Sequence, residues 1–327
     1  MRFFEQQAQA RAQTMRLLLL FVLTLVLLLL LVNLSLALLW RIFCLTDCAY
    51  PDWFFSVNTG MVLLFVLGGW WIETSSLDNG GLALARRVGA REAFASRPDE
   101  QRLINVVSES AIAASMKPPT VMLLERVRSI NAFACGWDLD DAVVTVTRGA
   151  LDQLTRDELQ GLVAHELSHI REGDMRLNMR LVGMVFGLEM IFNMGRTMCE
   201  PNAQGRRTVL ALPGLAVLAT GALGWLAGRV LKAAVSRQRE FLADARAVQF
   251  TRSRDGLGGV LRKAAGQPAR LEPALYSPVQ HMLLLGSERV DWFASHPPLS
   301  ERIRRIYGRP MPAIAPAPDT TPVDWGH

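Results

Sequence analysis

Between Leu17 and Leu39 only Thr24, Asn33 and Ser35 interrupt a continuous apolar run. As a helix it is long enough to cross a hydrocarbon core of about 30 Å. A cleaved signal peptide is the competing reading, since Ser35-Leu36-Ala37 has the small residues of a cleavage site. The run exceeds the about 7–15 apolar residues of such a leader, so an uncleaved anchor is expected. A second span follows from Trp53 to Ile72, with Trp53, Trp70 and Trp71 at its ends, where an aromatic belt sits. The two spans make a hairpin. Arg2, Arg11 and Arg16 precede it, whereas its loop holds only Arg41, so the positive-inside rule puts the N-terminus in the cytoplasm. Cys44 and Cys48 in the loop then face an oxidising compartment, as a disulfide or as two unpaired thiols.

Composition agrees with a membrane protein carrying one soluble unit. Half of the 327 residues are hydrophobic and the mean hydropathy is +0.21, too apolar for an ordinary soluble enzyme. The formal charge of +5 comes from arginines flanking apolar segments, and no basic run is interleaved with aromatics, which argues against nucleic acid as a partner. No pair among the four cysteines has the C-x-x-C spacing of a zinc ribbon or redox centre.

Two further apolar stretches lie downstream. Leu177 to Met198 is a weak span, because Glu189 and Asn193 within it call for a water-lined or protein-buried face. Val209 to Val235 is stronger and tolerates Pro213 where neighbouring helices compensate. Arg196, Arg206 and Arg207 between them sit where a hairpin would put an outside loop, so both segments could be re-entrant. The expected organisation is a tail and hairpin over 1–73, a soluble part over 74–176, the two apolar segments over 177–235, a second soluble part over 236–308 and a disordered Pro/Ala-rich tail over 309–327.

In the first soluble part, Gly80 to Met116 reads as helices broken near Pro98. Three β-type runs follow, Val121 to Leu124, Ile130 to Cys135 and Ala142 to Thr147, the last dense in β-branched residues. The fold class expected is an α+β membrane protein, mainly helical, whose zincin-like domain carries a small antiparallel sheet. An open edge of such a sheet can pair with an extended peptide.

The chemistry sits in TRDELQGLVAHELSHIRE, from Thr155 to Glu172. Thr155 and Glu158 have the form of a capping box, and Leu159, Leu162 and Val163 recur at helical spacing. His165 and His169, four residues apart, share one helix face and can reach one Zn²⁺ at about 2.0–2.1 Å each. Glu166 is placed to take the proton of a water activated there, which is the H-E-x-x-H pattern of zinc hydrolases. Two ligands do not complete a catalytic site, which needs three. The extended pattern with a downstream Gly and His is excluded, since Glu172 and Met175 occupy those positions. Glu172 itself lies about 10.5 Å along the helix from His165, too far to share an ion. Glu240, in SRQREFLADARAV, is the best candidate, with Asp244 one turn on to orient a ligand histidine. For Glu240 to reach His165 and His169, the two intervening apolar segments must both cross the bilayer or both fail to.

INAFACG (Ile130 to Gly136), VTRGALDQLTRDEL, HELSH followed by Asp174, REFLADARAV and SHPPLSERI together resemble the M48 metallopeptidases, the HtpX-like integral-membrane zinc proteases. The resemblance covers roughly residues 120–307 plus the hairpin. It implies one zinc per chain on His165, His169 and Glu240, with Glu166 as general base. It places Asn131 and Ala132 on a substrate-binding edge strand, and gives His296 and Arg302 the family's part of steadying substrate or oxyanion. It implies a cytoplasmic-membrane endopeptidase facing the cytoplasm, acting on unfolded or membrane proteins in quality control. A zinc-binding scaffold without activity and a processing enzyme for lipidated C-termini are the alternatives. His281 reads as a packing residue, and His327 ends the tail.

Overall fold

The computed structural model describes residues 2–43, 49–201, 211–234, 237–267, 282–284 and 297–315. Cys44, Cys48, His281, His296 and His327 lie outside the described residues.

Helix α1 (Arg2–Phe43) and helix α2 (Phe54–Ser76) carry the first two apolar stretches. Leu25 and Leu28 pack inward on the helix cluster, while many other leucines point outward: Leu23 and Leu64 are each 66% exposed, an arrangement that suits lipid and not water. Asn33, the polar break in the first run, donates its side-chain amide to Leu29 O at 2.9 Å and to Thr59 Oγ1 of α2 at 3.1 Å. A polar group that would be costly in lipid therefore joins the two helices instead.

Helix α7 (Asp174–Cys199) and helix α8 (Ala211–Ala234) form a second pair. Among the described residues, three helical stretches are long and apolar enough to cross a membrane: Leu18–Ile42, Phe54–Ser76 and Asp174–Cys199. In α8 the apolar part is the shorter Val217–Leu231. The segment that reads as the weaker span is thus the one meeting the length criterion. Glu189 does not face lipid: it is 3% exposed, inside the helix cluster. Close backbone approach makes that enclosure possible. A Cβ at Gly187 would collide with the Val66 carbonyl of α2, and one at Gly224 with the Leu188 carbonyl of α7.

The soluble part is built on four strands, β1 (Arg91–Glu92), β2 (Thr120–Leu124), β3 (Ala132–Cys135) and β4 (Val143–Thr147), in the order β1-β2-β4-β3. The sheet is mixed, not antiparallel throughout: β2 and β4 run parallel. The reason is the route of the chain. After β2 it turns back and lays β3 one strand-width away, and the hairpin into β4 then fills the gap alongside β2. That hairpin is set by Asp141, whose carboxylate accepts the Trp137 and Asp138 N–H groups at 2.8 and 2.7 Å. Strands β3 and β4 are buried at every residue, so their sequences do not alternate.

Alternate strand residues face two cores. Leu123, Val144 and Val146 pack with Leu103 and Val107 of α4 (Pro98–Ala113) and with Leu159, Leu162 and Val163 of α6 (Arg156–Glu172). Met122, Phe133 and Val143 pack instead with Leu77, with Leu84 of α3 (Gly80–Arg87) and with Met179 and Val182 of α7. One face of the sheet thus holds the metal helix and the other rests on the membrane-type helices. The short helix α5 (Arg148–Gln153) leads from β4 to α6. Beyond α8 come α9 (Arg237–Thr251), α10 (Asp255–Gly266) and α11 (Leu299–Tyr307), which close over α6.

Candidate active site

Helix α6 is fixed at both ends. The capping box forms: Thr155 Oγ1 accepts the Glu158 N–H at 3.3 Å and the Glu158 carboxylate accepts the Thr155 N–H at 2.8 Å. Lys263 of α10 adds a contact to Glu158 at 2.6 Å. At the other end Gly173 adopts φ 78, a left-handed cap that stops α6 and starts α7 in a single residue. With Leu159, Leu162 and Val163 facing the sheet, His165, Glu166 and His169 lie on the helix side met by α9. His165 and Glu166 are 1% and 2% exposed.

The two histidine Nε2 atoms stand 3.2 Å apart, and Glu240 of α9 reaches them with one oxygen each, at 3.6 Å. Both Nδ1 atoms face a carboxylate on their other side: Asp244 Oδ1 stands 3.1 Å from that of His165, and Asp174 Oδ2 is hydrogen-bonded to that of His169 at 2.9 Å. A proton on each Nδ1, on the side of its carboxylate, would leave both Nε2 lone pairs pointing at each other. Such a pairing is repulsive unless a cation lies between them. The donor set, two imidazoles and a carboxylate, is that of a catalytic zinc. Its spacing fits too, because bonds of about 2.0–2.1 Å in a tetrahedron put ligand atoms about 3.3–3.5 Å apart. The residues present therefore fit a zinc ion.

The field at this point favours positive charge. Burial opposes protonation of His165, but Asp244 and Glu240 outweigh it and push its pKa up to about 9. Burial would also raise the Asp244 carboxyl, yet Arg302 and His165 hold it at about 2. His169 is raised in the same manner, with Asp174 overcoming the effect of burial.

Arg302 is wholly buried, with Nε and Nη2 on the two Asp244 oxygens at 2.9 and 2.7 Å. Its Nη1 lies 3.4 Å from Glu240 and donates to Leu284 O at 3.1 Å. Arg302 thus joins Asp244 and Glu240 to the backbone of Leu284, the residue that meets the edge of β3. Asn131 and Ala132 lie at the outer strand of the sheet, next to α6. The Asn131 carbonyl points inward to the Thr147 N–H at 3.1 Å, so the next carbonyl, that of Ala132, points out from the edge, where the Leu284 N–H donates to it at 3.0 Å. His296, expected near the oxyanion, lies outside the described residues.

The sequence shows Asp174 and Arg239 only as parts of the motifs that carry the resemblance; the structure adds both to this cluster, with Arg239 Nη1 3.0 Å from Asp174 Oδ1. The signal available for Asp174 was Gly173, since a left-handed cap directly after the ligand turn folds the next residue back toward it. For Arg239 there was none beyond its place beside Glu240.

The model of peptidase family M48 matches residues 97–309, a region holding every residue of this cluster. The chain belongs to the M48 family. It is also similar to HtpX-type members over two thirds of its length or more. A protease HtpX homolog of Dictyoglomus turgidum is 37% identical over 222 residues, 67% of this chain and 72% of the relative. One of Thermoanaerobacter pseudethanolicus is 35% identical over 270 residues, covering 78% and 86%. One of Listeria monocytogenes is 32% identical over 263 residues, covering 76% and 86%. With its apolar helices, this M48 chain is an α+β membrane metalloprotease of the HtpX type.

Proposed function

We propose that the protein is a multi-pass zinc endopeptidase of the cytoplasmic membrane, with its site facing the cytoplasm, which cleaves unfolded or membrane proteins in quality control. The observation that carries the chemistry is the convergence of the His165 and His169 Nε2 atoms with the Glu240 carboxylate, each histidine backed by its own aspartate. In this reading His165, His169 and Glu240 hold one zinc ion. A bound zinc supplies Lewis acidity, both to a water and to the carbonyl of the scissile peptide. Glu166, buried one residue past the first ligand, takes the proton of the attacking water and passes it to the leaving amine. The outer edge of β3 at Asn131 and Ala132 aligns the substrate as an added strand. His296 donates to the oxyanion. Arg302 holds Asp244 and Glu240 in place.

The localisation rests on the apolar helices and on the arginines ahead of the first apolar run. The quality-control role rests on likeness to proteins named as HtpX homologues.

Zinc content and cleavage of an unfolded reporter protein, read together in detergent-purified protein kept under chelator until assay, test this. Wild type should cleave, Glu166→Gln should hold zinc without cleaving, and Glu240→Ala should lose zinc. Full zinc and activity in Glu240→Ala would remove the third ligand. Zinc without cleavage in wild type would favour a scaffold or a narrow-specificity processing enzyme.

A further inference from the structure

Each ligand histidine heads a chain of the same composition. His165 leads through Asp244 to Arg302, and His169 leads through Asp174 to Arg239. The first chain is drawn from α9 and α11, inside the soluble part. The second is different in origin, because Asp174 is the first residue of α7, a helix long and apolar enough to cross a membrane.

The two histidines also differ in how much else restrains them. The His165 side chain is 1% exposed and packed on all sides, whereas that of His169 is 14% exposed and sits on the last turn of α6, just before the Gly173 cap. A ring in that position owes its orientation to its Nδ1 partner more than to packing. Asp174 suits the part: its side chain is 10% exposed, and as the first residue of α7 its negative charge is favoured by the helix N-terminus. Arg239 meets it from α9 with 16% of its side chain exposed, and is the residue immediately before Glu240. The Asp174–Arg239 contact therefore joins a histidine ligand, the start of α7 and the strand of backbone that carries the carboxylate ligand.

We propose that Asp174 and Arg239 are positioning residues for the metal, fixing His169 and registering Glu240 against it through the first turn of α7. The inference rests on the metalloprotease reading and concerns a different readout from turnover. Asp174 acts on the metal through His169, and Arg239 acts through Asp174. Arg239 meets Asp174 through Nη1 at 3.0 Å, a charge contact that a lysine can partly reproduce.

The test uses full-length protein in detergent, loaded with zinc or with cobalt(II). Three quantities are compared in wild type, Asp174→Asn, Arg239→Gln and Arg239→Lys: zinc retention against a competing chelator, the visible spectrum of the cobalt form, and the melting temperature of chelator-treated protein. Asp174→Asn should weaken zinc retention by about 10–100-fold, the usual cost of losing such a partner, and shift the cobalt bands. Arg239→Gln should move both in the same direction by less, and Arg239→Lys should recover part of the loss. The melting temperature of the chelator-treated protein should stay within a few degrees of wild type. Wild-type zinc retention and cobalt bands in Asp174→Asn overturn the proposal, as does a loss matched by an equal fall in stability of the chelator-treated protein. Wild type that retains no zinc overturns the reading of the site itself, a result separate from either.

Discussion

Arg302 grips Asp244 by both carboxylate oxygens, at 2.7 and 2.9 Å, in a place where the arginine has no exposed surface. The pair is a planar fork on a planar acceptor, which lysine cannot reproduce. Arg302→Lys is expected to lower zinc retention as well as turnover, since Asp244 orients His165. Arg302→Ala strands a buried carboxylate and should cost about 3–5 kcal/mol of stability. Thermal melts and zinc titration of both variants check this. Lost turnover with zinc and stability intact would return Arg302 to a substrate-facing part.

Leu284 occupies the acceptor that an added strand would use first, because its N–H donates to the outward-pointing Ala132 carbonyl. A substrate that pairs with β3 must take that place. Hydrogen exchange of Glu166→Gln protein with and without an unfolded reporter checks this directly. The Leu284 amide should exchange faster when the reporter is present, while amides of β4 stay protected. Slower or unchanged exchange at Leu284 would mean that the edge of β3 is not where the substrate lies.

Glu100 gives the soluble part an acid-sensitive anchor. It is fully buried and accepts from Arg91 at 2.8 and 2.7 Å and from the Phe94 N–H at 2.7 Å. The Arg91 hydrogen bonds hold its carboxyl at about 2, against burial, which acts to raise it. A pKa depressed on folding adds stability that is complete above the unfolded value, about 4.3 for glutamate, and is lost as pH falls toward 2. In chelator-treated protein, wild type should therefore lose stability more steeply than Glu100→Gln between about pH 5 and pH 2. At pH 7 the variant should be less stable by about 1–3 kcal/mol. Parallel pH profiles would remove Glu100 from this role.

Close packing of α2 on α7 makes Gly187 intolerant of a side chain. Gly187→Val should destabilise the detergent-solubilised protein by about 1–3 kcal/mol or more through overpacking. Gly60→Val, on α2 where a Cβ meets nothing within 4 Å, serves as the control and should leave melting unchanged. Equal effects at the two positions would argue against the helix contact.

Legibility in the sequence followed the range of the interaction. Thr155, Glu158, His165 and His169 lie within one helix, so spacing alone foretells their relations. Glu240 was reachable by chemistry, since the ligand count demanded one more donor. The parallel pairing of β2 with β4 was not, because it depends on where the chain turns between β2 and β3. The contact of Asp174 with His169 was hidden by a single backbone angle at Gly173, and that of Arg302 with Asp244 by burial, which no spacing of charges reveals. The Leu284 contact joins residues far apart in the chain and has no pattern of its own.

Glu240, the proposed third ligand, stands beyond both α7 and α8, and Arg302, which pairs with it, comes later still. A chain made from its N-terminus displays His165 and His169 first, and folds its parts roughly in the order they emerge. The half-built protein beside the ribosome therefore has two metal-binding nitrogens but no third donor. With that ligand set, hydrolytic power would arrive only after both apolar helices have been made, so the order of synthesis itself would keep a protease-to-be harmless to its neighbours until it is housed.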